Sequence, residues 1–210
     1  MMSGFREGQA MTMVLEHTEA DTRARILLTA ERLFREIGYQ KTTVADIAKV
    51  LKMSPANVYR FFDSKRAIHE AVARRLMGEV EQAATAIVAR PVSATERLRE
   101  LLMTIHYMNK ERYVGDSKLH EMVAIAMEED WQVCDAHLEF IGATVGQVIV
   151  DGMASGEFRP GDPMNVAMCV VSAMVRFFHP QIIAQCATKP GPTLEQMVDF
   201  VISGISTAKS

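Results

Sequence analysis

Residues 42–66 read TTVADIAKVLKMSPANVYRFFDSKR. Val44, Ile47, Ala48 and Leu51 recur at helical spacing, and after a break at Lys52 and Met53 a second apolar set begins with Val58, Phe61 and Phe62. Thr43 can cap the first helix, with Asp46 three residues on as its capping-box partner. Ser54 can cap the second, and Pro55 fills its first helical position, where a missing N–H costs nothing. Two short helices, a tight turn and a basic anchor at Ser64-Lys65-Arg66 are the layout of a helix-turn-helix, whose second helix enters the major groove of duplex DNA.

On the N-terminal side, Ile26, Leu27, Ala30, Leu33, Phe34 and Ile37 form one stripe of a helix over about 22–37, with Gly38 as its stop. The first 21 residues lack the apolar core of a secretory signal and read as a mobile arm. On the other side, Asp63 and Ser64 can cap a long helix from Lys65 to about Ala89, ended by Pro91. Ser93 with Glu96 opens a further helix carrying Leu98, Leu101, Leu102, Ile105 and Met108. Two more follow, over about 117–129 and 131–154, before a turn punctuated by Gly156, Pro160, Gly161 and Pro163. The fold class expected is all-α. A three-helix helix-turn-helix domain at 22–75 follows the arm at 1–21, and a helical ligand-binding and dimerisation domain fills 76–210.

Net charge is −3, which by itself argues against a nucleic-acid partner, but the average hides a split. Residues 22–75 hold twelve Lys/Arg against five Asp/Glu, a balance of +7, while residues 76–210 balance at −7 and the first 21 at −3. Cations gathered on the helix-turn-helix supply phosphate attraction, and the acidic remainder is held off the duplex.

The run from Arg23 to about Val72 resembles the N-terminal domain of the TetR family of bacterial regulators. That family's pattern is met by Gly38-Tyr39, Thr42-Thr43-Val44, Asp46-Ile47-Ala48, Ser54, Tyr59, Phe62 and Ser64-Lys65. The resemblance implies a DNA-binding head on an all-helical ligand-binding and dimerisation body, and it implies backbone phosphate contacts from Thr43, Tyr59 and Lys65. Two departures stand out. The turn position that is commonly Gly is Lys52, which must take up a left-handed conformation or alter the turn, and Ala45 stands where relatives often carry a polar contact.

The residues that reach base edges from the first two turns of the second helix are Pro55, Ala56, Asn57, Tyr59 and Arg60. Asn57 suits adenine, Arg60 suits guanine or phosphate, and Ala56 suits a thymine methyl. Ser54 assists through its helix N-terminus, and Lys41, Lys49 and Lys52 add charge nearby. Tyr59 as a packing residue and the lysines as a solvated face are the alternatives.

In the second domain, apolar residues fall almost all around the stretch 164–178 and form a wide stripe at 194, 197, 198, 201, 202 and 205. A helix apolar on every side must be covered on every side, so these last two helices are expected to pack on their copies as the four-helix bundle of a homodimer. Two readers on a twofold axis would recognise an inverted-repeat operator in double-stranded DNA. The soft and aromatic residues Met103, His106, Tyr107, Met122, Met127, Trp131, Phe140, Met168 and Phe177 are candidates for lining a pocket for a small, apolar effector, although the same spacing serves a plain core. Cys134 and His137, three apart, with His106, Asp116 and His120, raise a metal-sensor reading. Such pairs arise freely by chance, and a packed thiol and a capped histidine are the reading kept.

Three cysteines set among helical patterns argue for reduced thiols and, with no stretch expected to cross a bilayer, for a cytoplasmic protein. Nothing resembles a Gly-rich phosphate loop, a nucleophile elbow or a metalloprotease helix, so neither a cofactor nor catalysis is expected. The function expected is a ligand-responsive DNA-binding regulator, a repressor. The rival is a DNA-bound protein whose helical body docks another protein instead of sensing a ligand.

Overall fold

A computed structural model describes residues 4–113, 118, 122, 125, 126 and 132–207, with side chains from Thr18 onward. Among the described residues the chain is helical. The helices are α1 (Gly4–Ile37), α2 (Val44–Val50), α3 (Pro55–Tyr59), α4 (Lys65–Val88), α5 (Ala94–Tyr113), α6 (Gln132–Ala154), α7 (Pro163–Ala173), α8 (Val175–Phe178), α9 (Pro180–Cys186) and α10 (Leu194–Ile205). An isolated antiparallel bridge joins Phe158 to Ser206. The chain divides into one unit ending at Ala73 and a second beginning at Arg74, with α4 continuing through the boundary.

The first unit is built as its apolar spacing predicts. Ile26, Ala30, Leu33 and Phe34 of α1 are buried with Val44, Ile47 and Ala48 of α2, Val58 of α3, Phe62, and Ile68 and Val72 of α4. Each large side chain so buried contributes about 1.5–3 kcal/mol. Gly38, at φ 94°, turns the chain out of α1, and the hydroxyl of the fully buried Thr42 donates to the Gly38 carbonyl at 2.7 Å. Lys52 adopts φ 54°, the left-handed conformation expected at the turn between α2 and α3.

In the second unit, Leu98, Leu101, Leu102 and Ile105 of α5, Val145, Val148 and Ile149 of α6, Val170 of α7 and Val198, Val201 and Ile202 of α10 share one core. Helix α6 packs between α5 and α7. Its Gly152 carries no Cβ because one would stand 2.1 Å from the ring of the buried Phe158.

Four expectations are revised. Helix α1 starts at Gly4 instead of near Thr22, because Ala10, Met11, Met13, Leu15 and Glu16 are good helix formers and no Pro or Gly interrupts the run from Gln9 to Ile37. The segment read as an arm is therefore, from Gly4 to Asp21, the beginning of that helix. The single helix read over 164–178 is divided at Met174, whose N–H is shared between the carbonyls of Val170 and Val171 at 3.1 Å each, a tightening of the turn. Helix α9 was not foreseen; Pro180 occupies its first turn, where a missing N–H is tolerated. Finally, α6 is long and apolar enough to cross a membrane by length and composition, with a mean hydropathy of 1.3. Its buried face, Ile141, Val145, Val148 and Ile149, belongs to the core just described. Of the helix read over 117–129, Lys118, Met122, Ile125 and Ala126 are described and helical, and the rest of that reading lies outside the described residues.

Candidate nucleic-acid interface and ligand cavity

Most of the candidate residues of the head are exposed. Thr43 closes a complete capping box on α2. Its hydroxyl accepts from the Asp46 amide at 3.1 Å, and the Asp46 carboxylate accepts from the Thr43 amide at 2.9 Å and the Thr43 hydroxyl at 2.6 Å. These bonds, the hydroxyl first, hold the Asp46 carboxyl below its ordinary pKa. Ser54 caps α3, its hydroxyl accepting from the Asn57 amide at 3.2 Å, with Pro55 in the first turn. Lys41, Thr43, Ser54, Pro55, Ala56 and Arg60 are exposed, as is Tyr59 at 49%. Asn57 is half-buried, with its carboxamide oxygen accepting from Arg60 at 3.4 Å and its NH2 directed at the Met53 sulfur at 3.8 Å. Lys65 is half-buried as well: its ammonium donates to the Gln40 carbonyl at 3.2 Å and lies 4.2 Å from the centre of the Tyr39 ring. Lys49 and Lys52 are exposed.

Two contacts of this surface escaped the sequence. Arg23 donates to the Phe61 carbonyl at 2.7 Å and stacks over the Phe62 ring at 4.1 Å, so a cation of α1 fastens the segment that follows α3. Glu19 lies 3.9 Å from the Arg60 guanidinium, setting an acid of α1 beside a candidate base reader.

The second unit carries an apolar cavity of about 280 Å3, partly open to solvent, between α4, α5, α6, α7 and the segment from Val175 to Pro180. Leu76, Val80, Ile105, Ile141, Val171 and Phe178 supply its greasy wall. Its polar groups are mostly committed to the protein. Arg112 donates to the Leu76 carbonyl at 2.5 Å and pairs with Glu79, His137 meets Glu81 at 2.8 Å, and the Asn109 amide donates to the Phe178 carbonyl at 2.9 Å. Cys134 lines the same space, and burial, helped by Asp135, pushes its thiol pKa up, away from the thiolate. Asp116 and His120, the further candidates for a metal set, lie outside the described residues.

The pocket residues expected from sequence are only partly brought together. His106, Tyr107 and Phe177 line a second cavity, where His106 donates from Nδ1 to the Phe177 carbonyl at 2.9 Å. Met103 packs half-buried against the core and Met122 is buried. Phe140 and Met168 are exposed, Met168 at 63%, and line neither cavity. Met127 and Trp131 lie outside the described residues. The apolar cavity is lined instead by Met77, Asn109, His137 and Val175, whose place at a shared void depends on how distant helices meet. The available sequence signals were apolar stripes, on which Leu76 and Val80 of the helix from Lys65, Ile105 of the helix after Ser93 and Ile141 of the helix over 131–154 lie.

Comparison with known proteins decides the family. The profile described as "Bacterial regulatory proteins, tetR family" matches residues 26–72, and that described as "Tetracyclin repressor-like, C-terminal domain" matches residues 94–198, half of the chain. The chain belongs to the TetR family. Within it, α2 and α3 are the helix-turn-helix of a DNA-binding transcriptional regulator, and α5 to α10 fall largely in the C-terminal domain. Among relatives, the chain is 23% identical over 155 residues to YhgD of Bacillus subtilis, an HTH-type transcriptional regulator, covering 74% of this chain and 81% of that one. It is 46% identical over 46 residues to IcaR of Staphylococcus aureus, a negative regulator of a biofilm operon, covering 22% and 25%. The TetR-family fold is shared with FadR of Thermus thermophilus, a repressor solved with lauroyl-CoA. The TM-score is 0.60 and the identity 19%, with 86% of this chain and 91% of that one covered.

Proposed function

We propose that this TetR-family regulator is a homodimeric repressor that binds an inverted-repeat operator and is released by a small apolar molecule. The observation that carries the reading is the apolar cavity of about 280 Å3 in the second unit. Its volume is near the lower end of the range of small-molecule sites, and its walls are greasy with few uncommitted polar groups. Leu76, Met77 and Val80 line it from α4, the helix that continues from the head, so a ligand with different affinity for two dispositions of α4 changes the spacing of the two readers. On the DNA side, Pro55, Ala56, Asn57, Tyr59 and Arg60 reach base edges, while Lys41, Thr43, Ser54, Tyr59 and Lys65 set the register on the backbone. The protein would act in the cytoplasm, where the chromosome is.

The dimer face is assigned to α7, α8 and α10, where Met164, Met168, Val175 and Phe200 are exposed, Phe200 at 71%. Large apolar side chains gathered on neighbouring helices need a cover, and a twofold copy supplies one. Repression is supported by the printed roles of IcaR and FadR, and a ligand-holding body by the lauroyl-CoA in FadR.

The test is selection of bound sequences from random duplex DNA, followed by gel-shift screening of apolar compounds. A recovered palindrome and a compound that lowers DNA affinity are expected. No palindrome, or no compound that changes DNA affinity, counts against the reading. A second reading, docking of another protein, draws on Phe140 and Val150, which are exposed on α6 and line neither cavity. Polar substitution of these two would abolish regulation under docking and leave ligand release intact under sensing.

A further inference from the structure

A second cavity, of about 340 Å3, opens among α5, α8, the end of α9 and the start of α10. Its chemistry differs from that of the apolar cavity. Three cations, Lys110, Arg176 and Lys189, come to it from three separate segments, and its charged lining contains one carboxylate, Glu195. That carboxylate is engaged locally: its own amide and the Thr193 hydroxyl bond it at the start of α10, the Tyr107 hydroxyl donates to it at 3.3 Å, and together these hold its pKa down. The positive charge around the cavity is therefore in excess.

Arg176 is placed there by the fold. Its guanidinium donates to the Lys189 carbonyl at 3.3 Å and lies so close to Gly191 that a Cβ at that position would stand 2.6 Å from Nη2. Apolar surface completes the lining through Phe177, Ile183 and Leu194, all buried. A cavity with a cationic side and an apolar side matches a molecule that carries both a negative group and a short hydrocarbon portion.

We propose that this second cavity binds a small organic anion, its carboxylate or phosphate held by Lys110, Arg176 and Lys189 and its apolar part resting on Phe177, Ile183 and Leu194. It is a site distinct from the apolar cavity of the proposed function. One wall separates the two: Phe177 faces the cationic cavity and Phe178 the apolar one, and α5 fastens both carbonyls, through His106 at 2.9 Å and Asn109 at 2.9 Å.

The test is binding alone, so its failure leaves the DNA-release reading standing and the converse. Full-length protein is titrated with hexanoate, hexyl phosphate, hexanol and inorganic phosphate, by calorimetry and by the methyl signals of Ile183 against those of Met77 in the apolar cavity. The two hexyl anions should saturate a site that shifts Ile183, and hexanol should leave Ile183 unmoved. Arg176→Gln should weaken the anions at least tenfold, and so should Lys110→Gln with Lys189→Gln, a pair of exposed side chains that keeps the test available if Arg176→Gln fails to fold. Gly191→Ala, which displaces the guanidinium without removing its charge, should weaken them less. The proposal is overturned by equal response to hexanol, by unchanged affinity in both charge variants, or by inorganic phosphate binding as tightly as hexyl phosphate.

Discussion

The Glu157 carboxylate accepts from the Thr95 amide at 2.9 Å across 62 residues of chain. It accepts from the neighbouring Ala94 amide at 3.0 Å as well, so the start of α5 is capped by a turn that follows α6. Burial works to raise the pKa of Glu157, but these bonds, with hydroxyl bonds from Thr95 and Ser155, hold it down to about 2. A folded pKa below the ordinary 4.5 means that the stabilisation is present above that value and is lost as pH falls toward 2. Glu157→Ala should cost about 1 kcal/mol, the worth of a cap, and should flatten the acid limb of a thermal-melt series between those pH values. An unchanged melting temperature at neutral pH refutes the capping role.

In the head, His69 is fully buried against Phe34, at a ring distance of 5.6 Å, and Tyr39, at 4.1 Å. Burial first, and then Lys65, lowers its pKa to about 3. The unfolded chain takes up a proton near pH 6.5 that the folded head refuses, so stability falls as pH drops from 6.5 toward 3, by about 2 kcal/mol at pH 5. His69→Phe, which keeps an aromatic ring in that stack, should remove this dependence. Denaturant titrations at pH 7 and pH 5 give the comparison, and equal losses in the two proteins would contradict it.

If Arg60 contacts DNA as proposed, Glu19, 3.9 Å away, would compete with phosphates for its guanidinium. Both side chains are exposed, so the pair is weak in solvent, and releasing it should tighten operator binding modestly. Glu19→Gln is expected to lower Kd about two- to fivefold at low salt, with the gain fading as salt rises. Weaker binding by this variant would mean that Glu19 positions Arg60 for reading.

Base reading and backbone gripping separate by their salt response. Asn57→Ala should relax sequence preference at one position of each half-site, by about 1–3 kcal/mol of discrimination, with the salt slope preserved. Lys41→Gln should weaken binding evenly across sequences and reduce the slope by about one. Competition against single-base operator variants over a salt series measures both, and an even loss for Asn57→Ala would remove it from the readers.

The left-handed Lys52 carries a conformational cost that glycine does not, of about 1 kcal/mol after allowing for glycine's freedom in the unfolded chain. Lys52→Gly should therefore raise the melting temperature of the head while removing one exposed charge. A lower melting temperature would indicate that the Lys52 side chain packs favourably.

What the chain announces locally, it announces well. Thr43 with Asp46, Ser54 with Pro55, Ser93 with Glu96, Gly38 at the end of α1 and the awkward Lys52 are all visible in sequence, because caps, turns and apolar periodicity act over three or four residues. The head, whose core joins stripes close together in the chain, was legible on those grounds, as was the TetR-family resemblance it carried. Only the tertiary structure decided where Phe140 and Met168 point, that Glu157 caps α5, that Glu19 meets Arg60, and that two cavities of opposite chemistry share the wall at Phe177 and Phe178. Those relationships span tens of residues. They depend on which faces of packed helices meet, and a period of 3.6 residues marks a face as apolar without naming its partner.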